Sequence, residues 1–432
     1  MNAADTPALL GGHPINDRPF RFNNAIGEEE KRAVMAVLDE GELSGFIASP
    51  GEPFWGGRKV RELQDMFCSR FGVKHAVAVN SATSGLHAAV MAIGTGPGDE
   101  IIASPYTMSA TSTVAVLSGA TPVFADIEDE TFGLDPAAVE AKITPRTRAI
   151  VTVNIFGHPS RLTELRALAD KHGLYLIEDN AQAPDALHAG RPTGTIGHIG
   201  VFSFNRHKVM QSGEGGVLVT DDPQLFEKAA LFRNHGEAVV EAMGIDDLVN
   251  TAGLNLRMTE MEAAVAVEQF RKLPELNRQR IELADRLSSA LSDIDGVSAP
   301  TVRQGDRHVY YMYAMTYDEA AAGMPRELFV KAMLAEGLFV RGGYLKPTYL
   351  EPMYQKRIGL GRHGFPFAAA DGASRVDYSP GICPVCERLQ SQELMITAVM
   401  QPPQTLADMD RWAEGARKVL NARDALMTAE AA

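Results

Sequence analysis

From His75 onward the apolar positions fall into short blocks that alternate between two rhythms. Blocks such as Ala149-Ile150-Val151-Thr152-Val153 are almost wholly apolar, as in a strand covered on both faces. Between them lie stretches of about ten residues with apolar positions every three or four, the helical period. The pattern predicts strands at 75–79, 100–103, 122–126, 149–154, 174–178, 200–204 and 216–220, and helices at 84–93, 110–118, 136–143 and 162–172. Upstream it predicts helices at 28–38 and 58–71, separated by a loop over 41–57 that holds five glycines and two prolines. Downstream, apolar-periodic helices cover 260–273 and 278–291, with Pro274 placed in a turn between them because proline removes a helical N–H. Thr259 and Glu262 have capping-box spacing at the start of the first.

Strands alternating with helices imply right-handed βαβ units and a parallel sheet, an α/β fold. After Gly296 the rhythm changes. A strand at 308–317, a helix at 326–336 and a strand at 338–341 describe a smaller α+β domain, followed by a loop-rich stretch at 342–404 and a last helix at 406–426. The expected organisation is an extended arm over 1–25, a large domain over 26–275 and a small domain over 276–432.

Composition narrows the function. The chain has 432 residues, long enough for two domains, and its formal charge of −14 argues against a broad nucleic-acid footprint. No apolar run reaches the roughly 20 residues that span a bilayer, and the first residues show no charged segment followed by an apolar one, so no membrane association and no secretion are expected. Three cysteines, Cys68, Cys383 and Cys386, are too few for a disulfide framework and suit a reducing cytoplasm. Cys383-Pro384-Val385-Cys386 lacks a second ligand pair, so buried thiols are expected there and no metal.

Candidate chemistry gathers where strands end. Asp179 closes the apolar run Leu174-Tyr175-Leu176-Ile177-Glu178, and Lys208 follows Phe202-Ser203-Phe204 by four residues, just before Gly213-Glu214-Gly215-Gly216. A lysine amine forms a Schiff base with the aldehyde of pyridoxal 5′-phosphate (PLP), and a carboxylate keeps its pyridine nitrogen protonated. Each residue has a plainer reading: Asp179 as the cap of a following helix, Lys208 as a solvated lysine. Gln182 lies one turn beyond Asp179, within reach of the same ligand. In Asn80-Ser81-Ala82-Thr83-Ser84-Gly85-Leu86-His87, hydroxyl side chains stand where a strand enters a helix. Free N–H groups and the helix dipole make such a turn an anion site, with Thr83 and Ser84 as phosphate ligands or as ordinary caps.

Together with Gly96-Pro97-Gly98-Asp99-Glu100, Glu178-Asp179-Asn180-Ala181-Gln182-Ala183 and Asn255-Leu256-Arg257-Met258-Thr259-Glu260, these stretches resemble the DegT/DnrJ/StrS family of PLP-dependent aminotransferases, from about Gly27 to Arg411. The resemblance implies fold type I, the aspartate-aminotransferase type, with a mostly parallel seven-stranded sheet and a smaller C-terminal domain. It implies a ping-pong transfer of an amino group from glutamate or glutamine to a keto-sugar, often nucleotide-linked, or a keto-cyclitol. Lys208 is then the Schiff-base lysine and proton shuttle, Asp179 the pyridinium partner, and Gln182 a neighbour of the ring hydroxyl. Thr83, Ser84 and Ser203 form the phosphate cup. Asn255 reaches the cofactor of a neighbouring subunit, which implies a homodimer with shared sites. The place of the ring-stacking aromatic is taken by Met108, with Tyr106 as the substitute nearby, and the loop Ala48–Trp55 lies where substrate is recognised. Relatives that act as dehydratases, or that bind without catalysis, are the alternatives; the presence of Lys208 and Asp179 speaks against both.

Overall fold

The computed structural model describes residues 6–18, 20–21, 25–47, 51–236, 252–367 and 376–431. Ala48 to Pro50 of the expected recognition loop lie outside the described residues, and Glu52–Trp55 forms a single 3₁₀ turn. Two helices precede the sheet, α1 (Glu28–Glu40) and α2 (Arg58–Phe71). The sheet strands are β1 (His75–Val79), β2 (Glu100–Ala103), β3 (Thr121–Phe124), β4 (Thr147–Val153), β5 (Tyr175–Asp179), β8 (Ile199–Ser203) and β9 (Gly216–Thr220). A short hairpin, β6 (Leu187–His188) and β7 (Arg191–Pro192), links β5 to β8.

The seven strands lie in the order β1-β9-β8-β5-β4-β2-β3. β9 alone is antiparallel to its neighbours, so the other six point the same way and end along one edge. Connecting helices α3 (Ala82–Ala92), α4 (Ala110–Ser118), α5 (Pro136–Glu140), α6 (Leu162–His172) and α7 (Pro223–Arg233) complete the α/β alternation. Side-chain alternation divides the strands between two cores. Val201 and Leu218 pack with α3 and α7, whereas their neighbours Phe202 and Val217 pack with Leu63, Phe67 and Phe270 on the other face.

The two helices expected on either side of Pro274 are one, α8 (Glu260–Leu291), with the proline inside it. The predicted capping box is present: Thr259 Oγ1 accepts from Glu262 N at 3.3 Å, and Glu262 accepts from Thr259 N at 3.0 Å. An internal proline costs about 3 kcal/mol. Burial of Phe270 and Leu273 in one core and of Leu283, Leu287 and Leu291 in another contributes about 1.5–3 kcal/mol per side chain, which outweighs it. Ion pairs and a hydrogen bond tie the first half to α1 and α2 (Lys272–Glu30, Gln269–Glu30, Arg271–Glu62), and the Arg286–Asp410 pair ties the second to the helix Leu406–Asn421.

Beyond α8 a second, antiparallel sheet has the order β10-β11-β13-β12, from β10 (Val297–Ser298), β11 (Tyr313–Tyr317), β12 (Arg341–Gly342) and β13 (Leu394–Thr397). The strand expected at 308–317 therefore begins only at Tyr313. Before it, the N–H groups of Val309 and Met312 donate to the carbonyls of Gly157 and Phe156, and Tyr310 takes φ +49°, which breaks the extended run. Of the strand expected at 338–341 only Arg341 pairs, and the pairing continues to Gly342. β13 lies in a stretch read as loop. Its four residues are fully buried, but both pairing partners are remote in the chain. The last helix divides at Ala422, giving Leu406–Asn421 and Arg423–Glu430.

Candidate active site

The common edge where β1, β5 and β8 end collects the candidate residues. At the end of β1, Ser81 caps α3: its Oγ accepts from Ser84 N at 3.1 Å. Ser84 Oγ donates to Asn80 Oδ1 at 2.6 Å, while Thr83 is exposed beside the open N–H groups of the first turn. Gly216 explains how this turn meets β8. A Cβ there would stand 2.8 Å from Ala82 N and 2.6 Å from Phe202 O, so only glycine lets the α3 entrance close on the end of β8. Ser203, paired with Gly216 in the ladder, is thereby brought beside the same turn, with its Oγ accepting from Asn205 N at 3.3 Å.

Asp179 ends β5, next to β8 in the sheet. It is 5% exposed, accepts from Thr111 Oγ1 at 2.8 Å and from Ala181 N at 3.2 Å, and among the described residues has no cationic nitrogen within 4.0 Å. Burial raises its pKa, opposed by those two hydrogen bonds and then by the charge of Lys208. Lys208 lies in the turn after β8, its N–H bonded to Asn205 O, and its amine sits over the Tyr311 ring, 4.7 Å from the centroid. Desolvation pulls its pKa down to about 8, with Asp179 pulling the other way. The two charges thus sense each other, while among the described residues neither has a counter-ion within 4.0 Å.

Gln182 is buried against this pair. Its Oε1 accepts from Phe156 N at 2.8 Å and its amide N donates to the Tyr344 hydroxyl at 3.3 Å. Met108 stands 61% exposed just before α4, the helix that carries Thr111. Tyr106 has no exposed surface, and its hydroxyl is committed to Gln390 and to Tyr344 N. Of the two stacking candidates, Tyr106 therefore offers no exposed face to a bound ring, whereas Met108 does. Asn255 adjoins Leu256, whose carbonyl accepts from Asn80 N at 2.8 Å beside the α3 entrance. It is exposed on a segment bridged to Asn234, and its Oδ1 accepts from Arg257 Nε at 3.0 Å. Cys383 and Cys386 are buried, with thiol pKa values pushed far up by desolvation; the Val385 and Cys386 N–H groups donate to Asp126.

Sequence reasoning missed Thr111 as the hydrogen-bond partner of Asp179 and Tyr311 as the platform under Lys208. The first had a signal, a threonine in the opening turn of a helix whose entrance faces the strand ends. The second had none, because Tyr311 read as one more position of a strand.

This donor set fits PLP. A buried carboxylate without a counter-ion suits a ring N–H⁺, an amine that is partly neutral near pH 8 suits an aldehyde, and the glycine-lined α3 entrance with free N–H groups suits a phosphate. Comparison with known proteins agrees. The chain is 36% identical over 349 residues to the spore coat polysaccharide biosynthesis protein SpsC of Bacillus subtilis, covering 79% of this chain and 87% of that one. It is 37% identical over 342 residues to a Streptoalloteichus tenebrarius protein assigned as an L-glutamine:3-amino-2,3-dideoxy-scyllo-inosose aminotransferase, covering 78% and 79%. The crystal structure of DesI, determined in the presence of its TDP-sugar product, superposes with a TM-score of 0.78 at 29% identity, over 98% of this chain and 99% of that one. The sequence profile of the DegT/DnrJ/EryC1/StrS aminotransferases matches residues 25–380, and the chain belongs to that family of PLP-dependent enzymes.

Proposed function

We propose that this protein moves an amino group from glutamate or glutamine to a keto-sugar or keto-cyclitol, one substrate leaving before the other enters. The donor leaves as a keto acid and the acceptor as an amine, so nitrogen and electrons balance between the two substrates. The observation that carries the reading is the facing pair: a lysine with its pKa drawn down to about 8 opposite a buried carboxylate with no counter-ion.

PLP, when bound, supplies the aldehyde that takes the nitrogen and the ring that spreads the developing negative charge. Lys208 would supply the amine that meets the aldehyde and would carry a proton on its Nζ from the substrate carbon, for which a pKa near working pH is suited. Asp179 holds a proton on the ring nitrogen, and Thr111 orients that carboxylate. Thr83, Ser84, Ser203 and the N–H groups of α3 bind the phosphate. Met108 would pack against the ring, and Gln182 would lie near its hydroxyl. Asn255, exposed, reaches the partner's cofactor in a homodimer, which sedimentation and mixed-mutant complementation would reveal. The arm (1–25), the sheet domain (26–275) and the C-terminal domain (276–432) are the proposed units, α8 running through the boundary, and the cytoplasm the proposed location. Among the described residues no helix is long and apolar enough to cross a membrane.

The test is spectroscopic. Purified holoenzyme has a visible band that bleaches on adding glutamate or glutamine and returns on adding a nucleotide-linked keto-sugar or an inosose-type ketone. A band indifferent to every amino acid tried would overturn the aminotransferase reading.

A further inference from the structure

Three arginines of the described chain are buried: Arg233, Arg280 and Arg326. Arg326 is paired with Glu327, and Arg233 spends its donors on Gln64 and on the carbonyls of Ala78 and Phe54. Neither Arg233 nor Arg280 has a carboxylate within 4.0 Å among the described residues. Arg280 lies on the second half of α8 and is 5% exposed. It donates to the Tyr310 carbonyl at 3.3 Å and to Gln401 Oε1 at 3.1 Å. It also lines a cavity of about 690 Å³ that contains Lys208. Arg206 and His207 line that cavity too, and no aspartate or glutamate does. The path from one cation to the other is short: Arg280 holds the carbonyl of Tyr310, and Lys208 rests on the ring of Tyr311.

A guanidinium buried without a counter-ion is costly unless an anion completes it. A cavity lined by Arg206, Lys208 and Arg280 together with Leu276, Met312 and Pro402 suits a short apolar chain ending in a carboxylate. We infer that Arg280, braced by Gln401, is the docking point for a carboxylate of the amino-acid donor as its nitrogen approaches the Lys208 position. This rests on the aminotransferase reading and adds to it the group that recognises the donor. With the carboxylate bound, Arg280 gains the charge-assisted hydrogen bonds it lacks, and an amine with no carboxylate is discriminated against.

The two half-reactions separate the possibilities. In Gln401→Glu holoenzyme the new carboxylate occupies the place from which Oε1 now accepts, neutralising Arg280 without removing its bond to Tyr310. The donor concentration that half-bleaches the visible band should rise about 10- to 100-fold, while the acceptor half-reaction, started from amine-loaded enzyme, keeps its saturation. Glutarate, the same chain without the amine, should compete with the donor in the wild type and lose that effect in the variant. Arg280→Lys, which keeps the charge but not the fork, should fall between the two. Unchanged donor saturation in both variants, with melting temperature and visible band intact, overturns the site. A rise confined to the acceptor half-reaction assigns the anion to the acceptor and overturns the donor claim. Wild-type enzyme that no amino acid bleaches is a different failure, that of the aminotransferase reading.

Discussion

Glu178 and Asp179 are neighbours at the end of one strand, both buried, both carboxylates, yet their surroundings are opposite. Successive residues of a strand face opposite sides of the sheet. Glu178 turns toward the loop after β7 and accepts from Gly194 N at 2.6 Å, Ile196 N at 2.8 Å, Gly197 N at 2.6 Å and Asn154 Nδ2 at 3.1 Å. Its hydrogen-bonding capacity is filled by its own chain. Asp179 has two hydrogen bonds, from Thr111 and Ala181, and burial raises its pKa against them and the charge of Lys208. A satisfied buried carboxylate holds a loop, whereas an under-satisfied one has affinity left for a ligand. The contrast teaches that burial and residue type alone do not mark a functional acid; the count of donors around it does.

The largest effect should come from removing the cation that Asp179 faces. Lys208→Ala should lower turnover by at least about 10³-fold without loss of fold, measured by steady-state assay and circular dichroism. Transamination near the wild-type rate would mean that the amine is a bystander. Asp179→Asn should lower turnover by about 10²–10³-fold, since a neutral amide does not hold the ring proton. Because the folded pKa of Asp179 is raised, its ionised form is disfavoured in the native state once pH exceeds the unfolded value. The apoprotein of this variant should therefore melt no lower than wild type at neutral pH, and a marked drop would show that Asp179 is structural after all. Glu178→Gln should do the reverse: a stability loss of about 2–4 kcal/mol in denaturant unfolding, because an amide N–H₂ then meets backbone N–H groups, with the folded fraction still active. The smallest effect is on pH dependence. Lys208 is neutral above about pH 8, so capture of PLP by the apoprotein should speed up as pH rises and level off above that value, below the range of an ordinary lysine. In Asp179→Asn the midpoint should shift down, because the carboxylate raises the lysine pKa. An upward shift contradicts the facing-pair geometry.

Some of this was legible in the chain. The limits of α2, α4, α6, β1, β2 and β9 coincide with those the apolar rhythm predicts, because each is bounded by local signals such as Gly72, Gly119 and Gly173 in left-handed conformation. Lys208, Asp179 and the α3 entrance were legible because strand ends are where open α/β sheets bind ligands. Tyr311 and Arg280 were not, because each meets its partner across a separation in sequence and nothing local distinguishes it from a strand or helix residue of the same type. Thr111 had a local signal in its place in the first turn of α4, but its partner Asp179 lies 68 residues away.

By itself, then, the order of residues determined most helices and strands of the large domain, that the main sheet is mostly parallel, and which amine and carboxylate stand at its carboxyl edge. All of that follows from period, capping and turn chemistry, which act over a few residues. The tertiary structure decided that α8 runs unbroken through Pro274, that β13 pairs in the second sheet, that Glu178 is satisfied while Asp179 is not, and that Arg280 opens on the cavity of Lys208. Those outcomes depend on burial and on donors delivered from distant segments, and packing energies of several kcal/mol override a local preference of about 3.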